Sequence, residues 1–357
     1  MNWCRLQLAY GHCILSYPSE SHAENIDATL WRHCFYLPID YYRRQLKDPK
    51  SAKGRWALSE LSRLIDSGLA FLATLLHDLC SLYASPENSC QERICAIFDA
   101  VGLPVPGAEA HGSKVTFECM QSILYRVLIF CGDLARYRCQ FNKSFQADNF
   151  EYAWQIYSAA RHLAPDQGHA CNQLAVVCSL LHDMPLTVYW YLRAECCAAP
   201  FAAARRNVAS YLDKALVDNQ SLTVELWHPF FVFILNVVNG SGSLETLSLE
   251  TWLVEHFEAL LDGQIFLVLC ILCSCAMICP GTFIEAVIKS CISISLSKLE
   301  LIQISSNKDY FLFLLILGEI VLVPTFTFTF VNWYLLETIR SVGSCTVYRV
   351  SGQMGKC

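Results

Sequence analysis

The chain has 357 residues, of which 54% are hydrophobic and 16% are charged, and its mean hydropathy is +0.34. A disordered protein is therefore excluded, because a chain of this length and composition can bury a large core. The 20 cysteines are too sparse for a secreted disulfide scaffold, so we expect reduced and mostly buried thiols. Residues 1–20 lack a basic stretch followed by a continuous apolar run, which predicts no cleaved signal peptide and a cytoplasmic or nuclear protein.

The net charge of −6 conceals a basic segment near the beginning of the chain. Residues 31–63 have a local balance of +5, with basic side chains at Arg32, Arg43, Arg44, Lys47, Lys50, Lys53, Arg55 and Arg63. Such a segment is either an ordinary solvated face or a surface that attracts phosphate or acidic peptide.

The pattern of apolar residues predicts one helix after another. Residues 56–80 carry leucine or isoleucine at three- and four-residue steps, which predicts an amphipathic helix. The proline- and glycine-rich segment 101–116 predicts a loop, and a second long helix is expected from about Phe117 to Asn142. No two-residue alternation with turn dipeptides is sustained before residue 285.

An internal repeat is predicted within residues 149–200. Three pairs of residues are spaced 34 apart, which is the tetratricopeptide period: Tyr157 with Tyr191, Ala160 with Ala194, and Ala164 with Ala198. Pro165 and Pro200 are expected to end the first helix of each repeat. The alternative is an ordinary helical bundle with a chance alignment.

The segment 131–138 (CGDLARYR) is the most informative of the chain. On a helix it places Arg136 beside Tyr137 in an apolar neighbourhood. An unpaired guanidinium is costly there, so either an anion or a carboxylate is expected to meet it.

Blocks on both sides of this segment follow the order and spacing of one known family: residues 30–36 (LWRHCFY), 46–49 (LKDP), 132–138 (GDLARYR), 163–175, 189–193 and 200–204. Over residues 30–216 the chain thus resembles the telomerase-binding, nonsense-mediated-decay family called Est in yeast and Smg in animals. The resemblance implies an all-α fold, in which a 14-3-3-like array of tetratricopeptide-type helices is followed by further α-helical hairpins.

The resemblance also implies a phosphopeptide groove in which Arg136 and Tyr137 hold a phosphoserine or phosphothreonine. The family's lysine on the early helix is missing, because Tyr36 stands in its place. Arg43 or Arg44 could substitute for that lysine.

Two alternatives remain open for these candidate residues. The basic side chains could instead form structural salt bridges with Asp40 or Asp133. Asn172 is a candidate for a hydrogen bond to the peptide backbone, but an asparagine at a helix start also caps or packs.

Four domains are expected: an N-terminal segment (1–26), the 14-3-3-like and tetratricopeptide domain (27–216), a helical extension of the Est type that binds DNA or RNA (217–300), and an apolar C-terminal segment (301–357). Residues 311–336 are long and apolar enough to cross a bilayer, although Pro324 and the TFTFTF run suit a strand or irregular segment. A membrane-anchored protein is therefore a further alternative, as is a C-terminal stretch that is not native coding sequence.

No enzyme chemistry is predicted. The cysteines at 270, 273, 275 and 279 lie in an apolar run without a second pair, so we expect buried thiols and no metal site. No nucleophilic site, cofactor or clustered acidic nuclease ligands are apparent, so this chain is not expected to cleave RNA by itself.

Two function classes remain in competition. The first is a scaffold that reads a phosphorylated partner, which the resemblance implies is the RNA helicase of nonsense-mediated decay, with possible contacts to the telomerase ribonucleoprotein. The second is an RNA- or single-stranded-DNA-binding module that uses the basic segment 31–63. Binding of the second kind would fall steeply with salt and ignore phosphorylation.

Overall fold

The computed structural model describes residues 3–46, 48, 50–83, 117–141, 150–217 and 222–240, together with the single positions 268, 271, 274, 275 and 278. Within these ranges the regular structure is helical. The helices are α1 (Trp3–Ser16), α2 (Pro18–Ala23), α3 (Ile26–Trp31), α4 (Leu37–Gln45), α5 (Ala52–Tyr83), α6 (Phe117–Phe141), α7 (Glu151–Leu163), α8 (Gly168–Leu180), α9 (Met184–Glu195), α10 (Ala204–Val217) and α11 (Leu222–Asn239).

The all-α prediction and both long helices predicted from periodicity are confirmed. The apolar positions of segment 56–80 form the inner face of α5, where Leu61, Ile65, Leu72 and Leu76 are buried. By length and composition α5 could also cross a membrane, but a buried core helix meets the same criteria. The predicted loop 101–116 and the apolar run 311–336 lie outside the described residues, as do Cys270, Cys273 and Cys279.

A single π-helical turn (Arg32–Tyr36) joins α3 to α4. Its cause is local, because Pro38 lies at the start of α4 and has no N–H to continue the normal ladder. The N–H of Leu37 donates to the carbonyl of Arg32, five residues earlier. The widened turn leaves Tyr36 and Leu37 exposed while Phe35 is fully buried.

The helices stack in sequence order. From α4 to α10 each described helix packs against the next one, and α1 to α3 pack against α5 and α6.

The chain divides into two compact units, residues 1–223 and 224–357. In the second unit, the described part of α11 buries the aromatic side chains Trp227, Phe230 and Phe231. The four domain boundaries expected from sequence stay predictions.

Residues 149–200 form the repeated helices that the spacing indicates. Tyr157 and Ala160 lie on α7, Tyr191 and Ala194 lie on the equivalent helix α9, and all four are buried. One expectation is wrong: Pro200 does not end α9, because that helix already ends at Glu195. Residues 196–200 instead fold back, so that the Gly168 N–H donates to the Ala199 carbonyl at 2.9 Å.

Candidate functional site

Arg136 lies inside the array, where its side chain has several polar partners. It is 8% exposed, and a terminal nitrogen of its guanidinium lies 3.0 Å from Oδ1 of Asp133, one helical turn earlier. Its Nε donates to the Tyr157 hydroxyl at 3.3 Å, and its other terminal nitrogen donates to Oε1 of Gln140 at 3.1 Å. The carboxylate alternative for Arg136 is therefore the one seen, and the carboxylate is that of Asp133.

Tyr157 completes this cluster and explains the glycine that precedes Asp133. Its hydroxyl donates to Oδ1 of Asp133 at 2.6 Å, and its ring is fully buried. A Cβ at position 132 would lie 2.3 Å from a ring carbon of Tyr157, so only glycine leaves room for the ring. Sequence reasoning noted Tyr157 only as part of the repeat.

The electrostatics of the cluster favour a charged Arg136. Burial opposes the charge, but the oxygens of Tyr157 and Asp133 outweigh burial and raise the pKa of Arg136 above its ordinary value. Burial, followed by the Asp133 charge, raises the pKa of the Tyr157 hydroxyl well above its usual range. Arg136 thus stays protonated, with its charge offset by a carboxylate of the same helix.

Tyr137 lies between Arg136 and the early helix α4. The guanidinium carbon of Arg136 is 4.4 Å from the centroid of the Tyr137 ring, and that of Arg43 is 6.0 Å from it. Arg43 also lies 5.7 Å from the ring centroid of Phe141. The structure therefore brings together Arg43, Tyr137 and Arg136 of the predicted site, and we call these three residues the Arg43–Tyr137 cluster.

The other two predicted residues face different partners. Arg44 forms a salt bridge with Asp40 at 2.6 Å, and its side chain is 74% exposed. Asn172 is buried in α8, where its Oδ1 accepts a hydrogen bond from Nδ2 of Asn207 in α10 at 2.9 Å. Asn172 therefore packs between helices, and its partner Asn207 had no signal in the sequence.

The basic segment 31–63 carries exposed aromatic rings that sequence reasoning did not single out. Tyr41 and Trp56 are 54% and 48% exposed, and Tyr42 lies between them with ring centroids 5.3 and 5.8 Å away. We call Tyr41, Tyr42 and Trp56 the aromatic ledge. Of the basic side chains, Arg44 and Arg63 are held by acidic neighbours.

Residues 25–142 match the family model of the telomerase activating protein Est1, and residues 153–227 match that of the Est1 DNA/RNA binding domain.

In the ranges that the structure describes, no group of three or more His, Cys, Asp or Glu side chains is arranged to hold a metal ion.

Similar curated proteins include the zebrafish (Danio rerio) telomerase-binding protein EST1A, at 28% identity over 58% of this chain and 12% of that protein. The zebrafish nonsense-mediated mRNA decay factor SMG7 is 26% identical over 68% of this chain and 20% of its own length. An SMG7-like factor of Arabidopsis thaliana is 33% identical over 54% of this chain and 18% of its own length. The chain thus spans a fifth or less of these relatives.

Two solved structures have a similar fold. In a crystal structure of Est1 and Cdc13, the match has a TM-score of 0.52 and 14% identity, and covers 83% of this chain and 64% of the other. In the Caenorhabditis elegans SMG5-SMG7 complex, the match has a TM-score of 0.51 and 13% identity, over 82% and 68% of the two chains. At these identities the likeness concerns the helical fold.

Proposed function

Because this chain belongs to the Est1/SMG family, we propose that it is a non-enzymatic, phosphopeptide-binding scaffold of nonsense-mediated mRNA decay. Its partner is the phosphorylated RNA helicase of that pathway, and it associates with the telomerase ribonucleoprotein. It works in the cytoplasm and the nucleus. The proposal is supported by relatives named for telomerase binding and for nonsense-mediated decay.

The observation that carries the proposal is the position of Arg43 against Tyr137. Arg43 is exposed and forms no ion pair within the described part of the chain, so its charge is available to a ligand. The Tyr137 hydroxyl has no hydrogen-bond partner among the same residues. A guanidinium and a phenol hydroxyl together offer the donors that a phosphate group accepts.

The three residues of the cluster then have separate roles. Arg43 supplies the charge-assisted hydrogen bonds, and the Tyr137 hydroxyl donates one more. Arg136 is a positioning residue, because its guanidinium is engaged by Asp133 and packs against the Tyr137 ring. In this arrangement Arg43 takes over the charge of the lysine that the family carries on its early helix.

We expect Arg43→Ala to weaken binding of a phosphoserine peptide from the helicase tail by about tenfold to a hundredfold, the value of a hydrogen bond to a charged group. The same substitution should leave the weak binding of the unphosphorylated peptide unchanged. Isothermal titration calorimetry with both peptides measures the difference. Arg44→Ala is the matched control, since Arg44 is adjacent but held by Asp40.

Tyr137→Phe isolates the hydroxyl, because the ring that contacts Arg43 and Arg136 is retained. Phosphopeptide affinity should fall less than for Arg43→Ala, with no loss of helicity by circular dichroism. Equal affinity of the unsubstituted protein for the phosphorylated and unphosphorylated peptides would reject the proposal.

A second candidate function is single-stranded nucleic-acid binding at the aromatic ledge, which is favoured by its exposed rings among basic side chains. Bases stack on exposed aromatic rings while basic side chains follow the backbone. Arg32, Lys50, Lys53 and Arg55 are exposed in the same segment.

For this second function, Trp56→Ala should lower the affinity for a single-stranded RNA oligonucleotide by about tenfold, in line with the loss of one stacked base. Fluorescence anisotropy at several salt concentrations measures the affinity, which should fall steeply with salt. Tyr17→Ala serves as control, since Tyr17 is a similarly exposed ring outside the ledge. An affinity unchanged by Trp56→Ala would count against the ledge.

A further inference from the structure

Two arginines on α7 and α9 lack an acidic partner within the described part of the chain, and the charge of Arg193 acts on Arg161, which packs on Trp190 one turn before Arg193. Arg161 is in the last turn of α7 and Arg193 is in the last turn of α9. Both are half-buried, and neither forms an ion pair with any Asp or Glu in the described ranges. Two like charges in a partly buried place repel each other, so this arrangement is costly unless an anion offsets it.

Two buried donors at this place, one on Arg161 and one on Trp190, have no acceptor among the described residues. The Nε of Arg161 is buried and has no hydrogen-bond partner among the described residues, and the same is true of the indole Nε1 of Trp190. The two residues are in contact, with the Arg161 guanidinium carbon 5.5 Å from the Trp190 ring centroid. Buried donors are nearly always satisfied in folded proteins, so two orphan donors on touching side chains indicate a place for an acceptor.

The other contacts of the pair do not remove the need for an anion. A terminal nitrogen of Arg161 lies 3.3 Å from Nε2 of His162, which is not an acidic group. The negative ends of the α7 and α9 dipoles offset part of the charge. However, no carbonyl of these helices accepts a hydrogen bond from the buried Nε of Arg161.

Two other arginines of the described chain with largely buried side chains have a carboxylate. Arg136 has Asp133, and Arg126 of α6 forms an ion pair with the buried Asp27 of α3. Arg161 and Arg193 have no such carboxylate in the described ranges. A purely structural arginine would be expected to follow the pattern of Arg126 and Arg136.

Burial and the positive charges of the pair shift the pKa values of groups at this place. Burial lowers the pKa of the Arg161 guanidinium from its ordinary value. In the first turn of α8, a hydrogen bond from Cys197, together with the charges of Arg161 and Arg193, lowers the pKa of the Cys171 thiol to about 7 despite burial. The charges of Arg161 and Arg193 therefore favour a negative charge at Cys171.

We propose that Arg161, Arg193 and Trp190 form an anion site that takes a phosphomonoester, namely the phosphorylated side chain of a bound peptide. Two guanidinium charges match a phosphomonoester, which carries nearly two negative charges at neutral pH, better than a phosphodiester or a carboxylate, which carry one. The site shares no residue with the Arg43–Tyr137 cluster and does not depend on it. A peptide with two phosphorylated residues could engage both.

Thermal unfolding of the full chain tests the site with small probes at equal ionic strength. Phenyl phosphate at about ten times its Kd should raise Tm by about 5 °C, whereas dimethyl phosphate and acetate at the same concentration should leave it nearly unchanged. The shift should persist in Arg43→Ala, so failure of this site and failure of the proposed function are separable.

Arg161→Gln distinguishes a binding role from a structural one. The substitution removes one of two repelling charges, so Tm without ligand should rise while the shift caused by phenyl phosphate is lost. Arg193→Gln should behave in the same way. Arg206→Gln is the matched control, because Arg206 is exposed on α10 and should change neither value.

Two results would overturn the site. One is a shift of the same size with phenyl phosphate in Arg161→Gln and in the unsubstituted protein. The other is a lower Tm of Arg161→Gln without ligand combined with an unchanged response, which would make Arg161 a structural residue. Equal shifts with dimethyl phosphate and phenyl phosphate would also reject the preference for a monoester.

Discussion

Asp133→Ala is expected to lower the free energy of unfolding by about 3–5 kcal/mol, the range for removing one partner of a buried ion pair. The substitution leaves the charge of Arg136 buried without a carboxylate. It also removes the acceptor of the Tyr157 hydroxyl, which donates to Asp133 at 2.6 Å. Urea unfolding followed by circular dichroism measures the change.

The surface offers a matched control for this prediction. Asp40→Ala breaks the Arg44 salt bridge, whose side chains are 74% and 35% exposed, so it should cost only about 0–1 kcal/mol. Replacing Asp133 by Leu and Arg136 by Met together should recover much of the loss, because no buried charge then remains. A cost below that of Asp40→Ala would contradict the buried network.

The helices could be predicted because their signal is local. In α5 the apolar residues recur at helical steps along the segment itself, and burial of that face needs no knowledge of the neighbouring helices. The π-helical turn before α4 was not predicted. The signal for it, Pro38 inside an otherwise helical stretch, was present in the sequence.

The candidate site was only partly predictable, because several of its side chains contact residues on a different helix. Asp133 and Arg136 lie three residues apart on one helix, so their pairing could be read from the spacing. The hydrogen bonds of both residues to Tyr157 join α6 to α7, and the position of Arg43 against Tyr137 joins α4 to α6. Such contacts depend on helix packing, which the resemblance implied only in outline.

The Arg161–Arg193 pair could not be predicted from the sequence either, because it also depends on how helices pack. Each arginine follows the ordinary preference for a basic residue in the last turn of a helix, and Arg193 stands in the sequence only as part of the block 189–193. Only the packing of the repeat helices brings the two charges together. The absence of a carboxylate between them is a property of three-dimensional placement.

Gly168→Ala is expected to lower the free energy of unfolding by about 3 kcal/mol, at the upper end of the usual cost of overpacking. The added Cβ would lie 2.3 Å from the carbonyl oxygen of Ala194 and 2.7 Å from the backbone nitrogen of Phe201. Both are backbone atoms joined by a hydrogen bond of 3.1 Å, so no side chain can move aside. The packing of α8 against the end of α9 must open.

Gly11→Ala is the control for this substitution. In α1 the added Cβ meets only the side-chain ring of Phe71, at 3.2 Å, and alanine favours a helix over glycine by about 1 kcal/mol. Gly11→Ala should therefore be neutral or stabilising in the same urea titration. Because Gly168 holds the end of α9 against the first turn of α8, Gly168→Ala should also disturb the Arg161–Arg193 pair and reduce the thermal shift with phenyl phosphate. Similar stabilities of the two variants would show that the α8–α9 junction yields more easily than its backbone contacts imply.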